Sequence, residues 1–105
     1  MSDVPTEVSP QDAEAAVAGG DATLLDVRET WEWEEVHIPG AVLIPMNEIP
    51  ARIEEIPADA DVYVYCKMGG RSARVVDYLR RHGRERAVNV SGGIDAWAEA
   101  GLPVE

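Results

Sequence analysis

Cysteine occurs once in this 105-residue chain, at position 66, which excludes an internal disulfide and any metal site built on several thiolates. Positive charge is scarce: nine Lys and Arg stand against twenty Asp and Glu, a net charge of −11. Such an acidic body argues against nucleic acid or an anionic membrane as a partner. No apolar run approaches the roughly 18 residues of a membrane span. The opening residues, Met1-Ser-Asp-Val-Pro5, lack both a basic n-region and an apolar h-region, so no secretory signal is visible and a cytoplasmic location is expected. Repeats, linkers and low-complexity stretches are missing too. With 46% hydrophobic residues and scattered Gly and Pro, residues 1–105 are expected to form a single globular domain, and nothing suggests more than a monomer.

What is present is arranged around the cysteine. Val62 to Tyr65 is a β-branched and aromatic run, the composition of a buried strand. Ser72 to His82 carries apolar residues at 75, 76 and 79, the spacing of one helical face, and Gly83 follows where a left-handed cap would sit. Cys66 therefore lies between a strand and a helix, beneath unpaired N–H groups and the positive end of the helix dipole. That setting can lower a thiol pKa from about 8.5 toward roughly 3.5–7.5. Charge is also uneven. Residues 1–61 hold 15 of the 20 acids, while seven of the nine cations (Lys67, Arg71, Arg74, Arg80, Arg81, Arg84, Arg86) fall between 67 and 86. A basic segment around the cysteine would welcome an anionic substrate, but Arg80, Arg81, Arg84 and Arg86 are better read as a solvated face at the helix C-terminus, which leaves Lys67 and Arg71.

Elsewhere strands and helices alternate. Ser9 followed by Pro10 marks a helix start, running to Ala18 and ended by Gly19-Gly20. Strands are expected at 23–26, 41–44, 62–65 and 87–90, with an edge strand near 4–7. Helical segments are expected at 31–36, 49–56, 72–82 and 94–100. This alternation predicts an α/β fold with a mostly parallel sheet of about five strands and helices on both faces. Ligands of such sheets bind beyond the carboxyl ends of the strands, where Cys66 sits.

Three segments together resemble the rhodanese (sulfurtransferase) domain family. They are Leu25 to Ala41, with Asp-Val-Arg and His-Ile-Pro-Gly-Ala; the loop Cys66 to Ser72 (Cys-Lys-Met-Gly-Gly-Arg-Ser); and Val90 to Trp97 followed by Gly101-Leu-Pro-Val104. One departure is Val36, where the family usually has glycine; a position requiring positive φ would strain a valine. The loop count matters. Arg71 is five positions after Cys66, whereas related cysteine phosphatases and arsenate reductases place the arginine six positions on, widening the loop around a tetrahedral oxyanion. Position 72, where that arginine would fall, is serine.

The resemblance implies the single-domain rhodanese fold and a two-step transfer. Cys66 takes a sulfane sulfur from a small anionic donor such as thiosulfate, becomes a persulfide, and passes the sulfur to a thiol or cyanide. It implies no cofactor and no metal. The same cysteine would equally serve a persulfide carrier that delivers sulfur to a partner protein. An interaction module, an arsenate reductase and a phosphatase are the other readings.

Around Cys66, Lys67 either steers the donor or is a solvent-facing lysine. Met68 is a pocket wall or filler. Gly69 and Gly70 suit positive φ or close backbone approach. Arg71 binds the anion or braces the loop through carbonyls. Ser72 donates to the sulfur or caps the following helix. The resemblance places Asp26 and Arg28 near the pocket as a supporting, buried pair. His37 is expected to fix its turn, His82 needs no role, Trp31 and Trp33 are expected to pack in the core or flank the pocket, and Trp97 belongs to the core.

Overall fold

The structure, a computed structural model, describes residues 4–20 and 22–105. Its elements follow the alternation: β1 (Glu7–Val8), α1 (Pro10–Ala18), β2 (Ala22–Asp26), α2 (Thr30–Glu35), β3 (Val42–Leu43), α3 (Ile49–Arg52), β4 (Asp61–Tyr65), α4 (Gly70–Arg81), β5 (Ala87–Val90) and α5 (Gly93–Glu99). The five strands form one sheet in the order β1-β5-β4-β2-β3, and every pairing is parallel. Ser9 opens α1 as expected, its hydroxyl accepting the Asp12 N–H at 3.1 Å. Gly83 follows α4 with φ +91°.

The two-residue period of the strands divides the core. Val62 and Val64 of β4, Leu25 of β2 and Ala87 of β5 face one side, packed with Ile49 of α3 and Val75, Val76 and Leu79 of α4. Tyr63, Tyr65, Leu24, Val88 and Val90 face the other, packed with Ala13 of α1 and Ile94 and Trp97 of α5. Helices thus cover both faces of the sheet, and Trp97 is core.

Three local expectations need correction. The segment 49–56 is not one helix: α3 ends at Arg52, and Ile53–Glu55 continue as a 3₁₀ turn before Ile56 becomes extended. The edge strand sits at Glu7–Val8, pairing with Asn89 and Val90, with Val4 before it. Helix α4 starts two residues before Ser72. Gly69 takes φ +106°, a conformation only glycine adopts cheaply, and its carbonyl already accepts the Ala73 N–H at 3.1 Å. Ser72 is therefore inside the first turn and does not cap the helix.

Candidate functional site

Strand β4 occupies the middle of the sheet, and Cys66 is the first residue beyond its carboxyl end. By alternation its side chain falls on the face of Val62 and Val64, under the start of α4. There it is 1% exposed. Donors converge on the sulfur: the Gly69 N–H at 3.1 Å, the Ser72 N–H at 3.4 Å and the Ser72 hydroxyl at 3.3 Å, with the Met68 N–H also directed at it. Burial pushes the thiol up, but the Ser72 hydroxyl and these backbone donors more than offset it, so Cys66 titrates below the ordinary thiol value.

The loop keeps its acceptors away from the sulfur. The carbonyl of Cys66 takes the Ile94 N–H at 2.9 Å, and that of Lys67 takes the Asp95 N–H at 3.1 Å, both from α5. Gly93 makes this approach possible. It has φ +61°, and a Cβ there would lie well inside contact distance of both carbonyls. The Gly-Gly of the third sequence segment therefore acts on the cysteine loop, across a close backbone junction.

Charged side chains flank the loop in pairs. Arg71 does not brace loop carbonyls. It forms a two-pronged pair with Glu32 of α2, at 2.7 and 2.9 Å. Glu32 also accepts the Glu29 N–H at 2.9 Å. The Arg71 hydrogen bonds, opposed by burial and helped by that N–H, hold the Glu32 carboxyl at a pKa of about 2. Lys67 is exposed and paired with Asp95 at 2.8 Å. Met68 is 72% exposed at the tip of the loop. Gly70 meets neither expectation: its φ is not positive, and a Cβ would find open space.

Asp26 and Arg28 stand apart from the sulfur, at the end of β2. Both are buried. The Arg28 backbone N–H, Nε and Nη2 all donate to the Asp26 carboxylate, at 2.7–3.1 Å. Nη2 also donates to the Val36 carbonyl at 2.7 Å, and Nη1 reaches the Glu32 carbonyl at 3.4 Å. The pair thus fixes both ends of the turn that carries Glu32. Val36 has φ −163°, extended backbone that a valine adopts without strain. His37 holds its turn, through Trp33 O at 2.9 Å and Glu105, and its ring stacks on Trp33. Trp31 is 62% exposed, so it is not core.

Two participants escaped the sequence. Glu32 is one acid among several in α2, and nothing local marks it as the partner of Arg71. Asn89, 4% exposed, accepts the Ser72 hydroxyl at 2.6 Å and donates to the Gly69 carbonyl and to Glu7. A lone polar residue among Ala87, Val88 and Val90 was the available signal. Among the described residues no cluster of His, Cys, Asp and Glu could hold a metal, and no helix is long and apolar enough to cross a membrane.

A family model described as the rhodanese-like domain matches residues 9–100. A sulfurtransferase of Allochromatium vinosum is 45% identical over 84 residues, 80% of this chain and 78% of that protein. The thiosulfate sulfurtransferase GlpE of Actinobacillus pleuropneumoniae is 30% identical, covering 100% of this chain and 97% of its own. The crystal structure of a rhodanese-related protein from Thermoplasma volcanium superposes with a TM-score of 0.87 at 32% identity, covering 94% of this chain and 96% of that one.

Proposed function

The chain belongs to the rhodanese-like domain family, and from that membership and the donors around Cys66 we propose that it is a sulfurtransferase of the thiosulfate type. In the first step the Cys66 thiolate attacks the outer sulfur of thiosulfate. A new S–S bond forms to Sγ, the old sulfur–sulfur bond breaks, and sulfite leaves with its electron pair. Cys66 is then a persulfide with its negative charge on the terminal sulfur. In the second step a thiolate or cyanide attacks that terminal sulfur, and the electron pair of the breaking bond returns to Sγ. No proton is abstracted, so neither histidine is needed, and no cofactor enters.

The observation that carries this reading is the set of backbone N–H donors fixed on a buried sulfur, joined by the Ser72 hydroxyl, a cradle that stabilises negative charge. Main-chain donors of Met68, Gly69 and Ser72 hold the sulfur, and Gly69, with φ +106°, admits the chain at the helix start. Lys67 and the exposed Met68 border the approach of the donor anion. Arg71, five rather than six positions after Cys66 and turned to Glu32, supports sulfur over phosphate as cargo, because the position where a phosphate loop would carry its guanidinium is Ser72, which donates to Sγ. We take residues 1–105 to act as one cytoplasmic, monomeric domain, with a small anionic donor and a thiol, cyanide or protein acceptor as its partners.

Steady-state transfer from thiosulfate to cyanide tests the proposal. We expect thiocyanate production with the parallel double-reciprocal lines of a ping-pong mechanism, lost in Cys66→Ser. Turnover that survives Cys66→Ser would overturn it. Transfer only to a protein thiol, with none to cyanide, would point to a dedicated sulfur carrier.

A further inference from the structure

The sulfur site holds one proton with several claimants. The Ser72 hydroxyl lies 2.6 Å from Asn89 Oδ1, 3.3 Å from Cys66 Sγ and 3.3 Å from the Gly69 carbonyl. A hydroxyl has a single proton and donates to one acceptor at a time. The orientation of Asn89 follows from its other contacts. Its second polar atom sits 3.1 Å from a Glu7 carboxylate oxygen and 3.3 Å from the Gly69 carbonyl. Both are acceptors, so that atom is the amide nitrogen and the side-chain carbonyl faces Ser72. Register explains the placement: Asn89 pairs with Val64 of β4 and with Glu7 of β1, on the face that two residues later carries Cys66.

We infer that Asn89 is a positioning residue of the sulfur site: its side-chain carbonyl competes with Cys66 Sγ for the one proton of the Ser72 hydroxyl, and so governs how readily the sulfur holds negative charge. An amide carbonyl is a stronger acceptor than a neutral thiol, so the Ser72 hydroxyl donates to Asn89 Oδ1 while Cys66 is protonated. When the sulfur ionises, the hydroxyl turns to it and gives up the Asn89 bond, and the thiolate gains only the difference. Asn89 therefore keeps the thiolate less stabilised, and more nucleophilic, than Ser72 alone would make it. On the sulfurtransferase reading given above, the same carbonyl receives the hydroxyl back once the charge has moved to the terminal sulfur. The charged groups around the sulfur are Arg71 of α4 with Glu32 and Glu29 beside α2, Lys67 with Asp95 of α5, and Glu7 of β1 behind Asn89.

The test is the pH profile of Cys66 alkylation by iodoacetamide in the full chain. Asn89→Leu and Asn89→Ala are each made alone and in the Ser72→Ala background. We expect each single variant to lower the alkylation midpoint by about one pH unit, the effect of freeing one hydrogen bond for an anion. In the Ser72→Ala background neither should displace it. An unchanged or raised midpoint in the single variants, or an equal fall in both backgrounds, would overturn the inference. Alkylation needs no sulfur donor. A chain that shows the expected cycle yet takes no sulfur from thiosulfate would contradict the proposed function alone.

Discussion

Strands β2 and β4 lie side by side and end at the same edge of the sheet, Asp26 opposite Tyr65, yet they finish in opposite ways. At the end of β2 a buried cation meets a buried anion. Arg28 spends its donors on Asp26 and on the Val36 and Glu32 carbonyls, and its guanidinium lies 5.6 Å from the centre of the Tyr65 ring. Four of the five guanidinium N–H groups have acceptors there. At the end of β4, donors converge on one sulfur while the loop carbonyls turn to α5. The nearby cations are already engaged, Arg71 by Glu32 and Lys67 by Asp95. An anion on Cys66 is thus held chiefly by a hydroxyl and backbone dipoles. Paired ions close a site and suit support. Dipoles stabilise a charge that can come and go, as covalent sulfur transfer requires.

The largest expected effect falls at the closed end. Arg28→Ala leaves the Asp26 carboxylate buried without its partner and should cost about 3–5 kcal/mol in urea unfolding. The alkylation profile of the folded variant should stay that of the parent. A loss below about 1 kcal/mol would erase the distinction between the two ends.

Between the ends sits Glu32, joined to Arg71 on one side and held in place by Arg28 on the other. Glu32→Gln should cost about 2 kcal/mol at neutral pH. The carboxyl has its folded pKa lowered from 4.5 to about 2, so its contribution is full above the unfolded value and fades as pH falls toward the folded one. The stability gap between parent and variant should therefore narrow on acidification. A gap that stays constant down to about pH 2 would contradict the ion pair as its source.

At the open end, the parent should be alkylated at lower pH than a free thiol, because its donors hold the thiol below its ordinary value. Ser72→Ala should move the midpoint up by about half to one pH unit. A parent profile that rises only near about 8.5 would mean the donors do not stabilise the thiolate. Smallest of all, Lys67→Ala removes an exposed cation already shared with Asp95 and should raise the KM for thiosulfate about two- to threefold, with kcat unchanged. An unchanged KM would exclude Lys67 from donor recruitment.

Much of the frame was legible in the chain because it depends on neighbours in sequence. Alternating apolar runs placed the parallel strands, Ser9-Pro10 marked the start of α1, and the spacing of Val75, Val76 and Leu79 gave the buried face of α4. The site was legible only in part. Gly69 starts α4 early, which puts Ser72 in the first turn; of its two expected roles it takes donation to Sγ rather than the cap, and it also reaches Asn89. Glu32 and Arg71 are 39 positions apart, and Asn89 is 17 from Ser72; strand order alone brings them together. Trp31 shows the converse, an aromatic residue that composition sends inward and the fold leaves exposed.

The central claim is that the sulfur at the end of β4 accepts and releases a second sulfur. Intact mass after thiosulfate treatment, desalted without reductant and compared with Cys66→Ser, tests it most directly. The account predicts a gain of one sulfur atom in the parent, reversed by cyanide and absent from the variant. An unchanged mass in a parent whose thiol is shown to be free would contradict it.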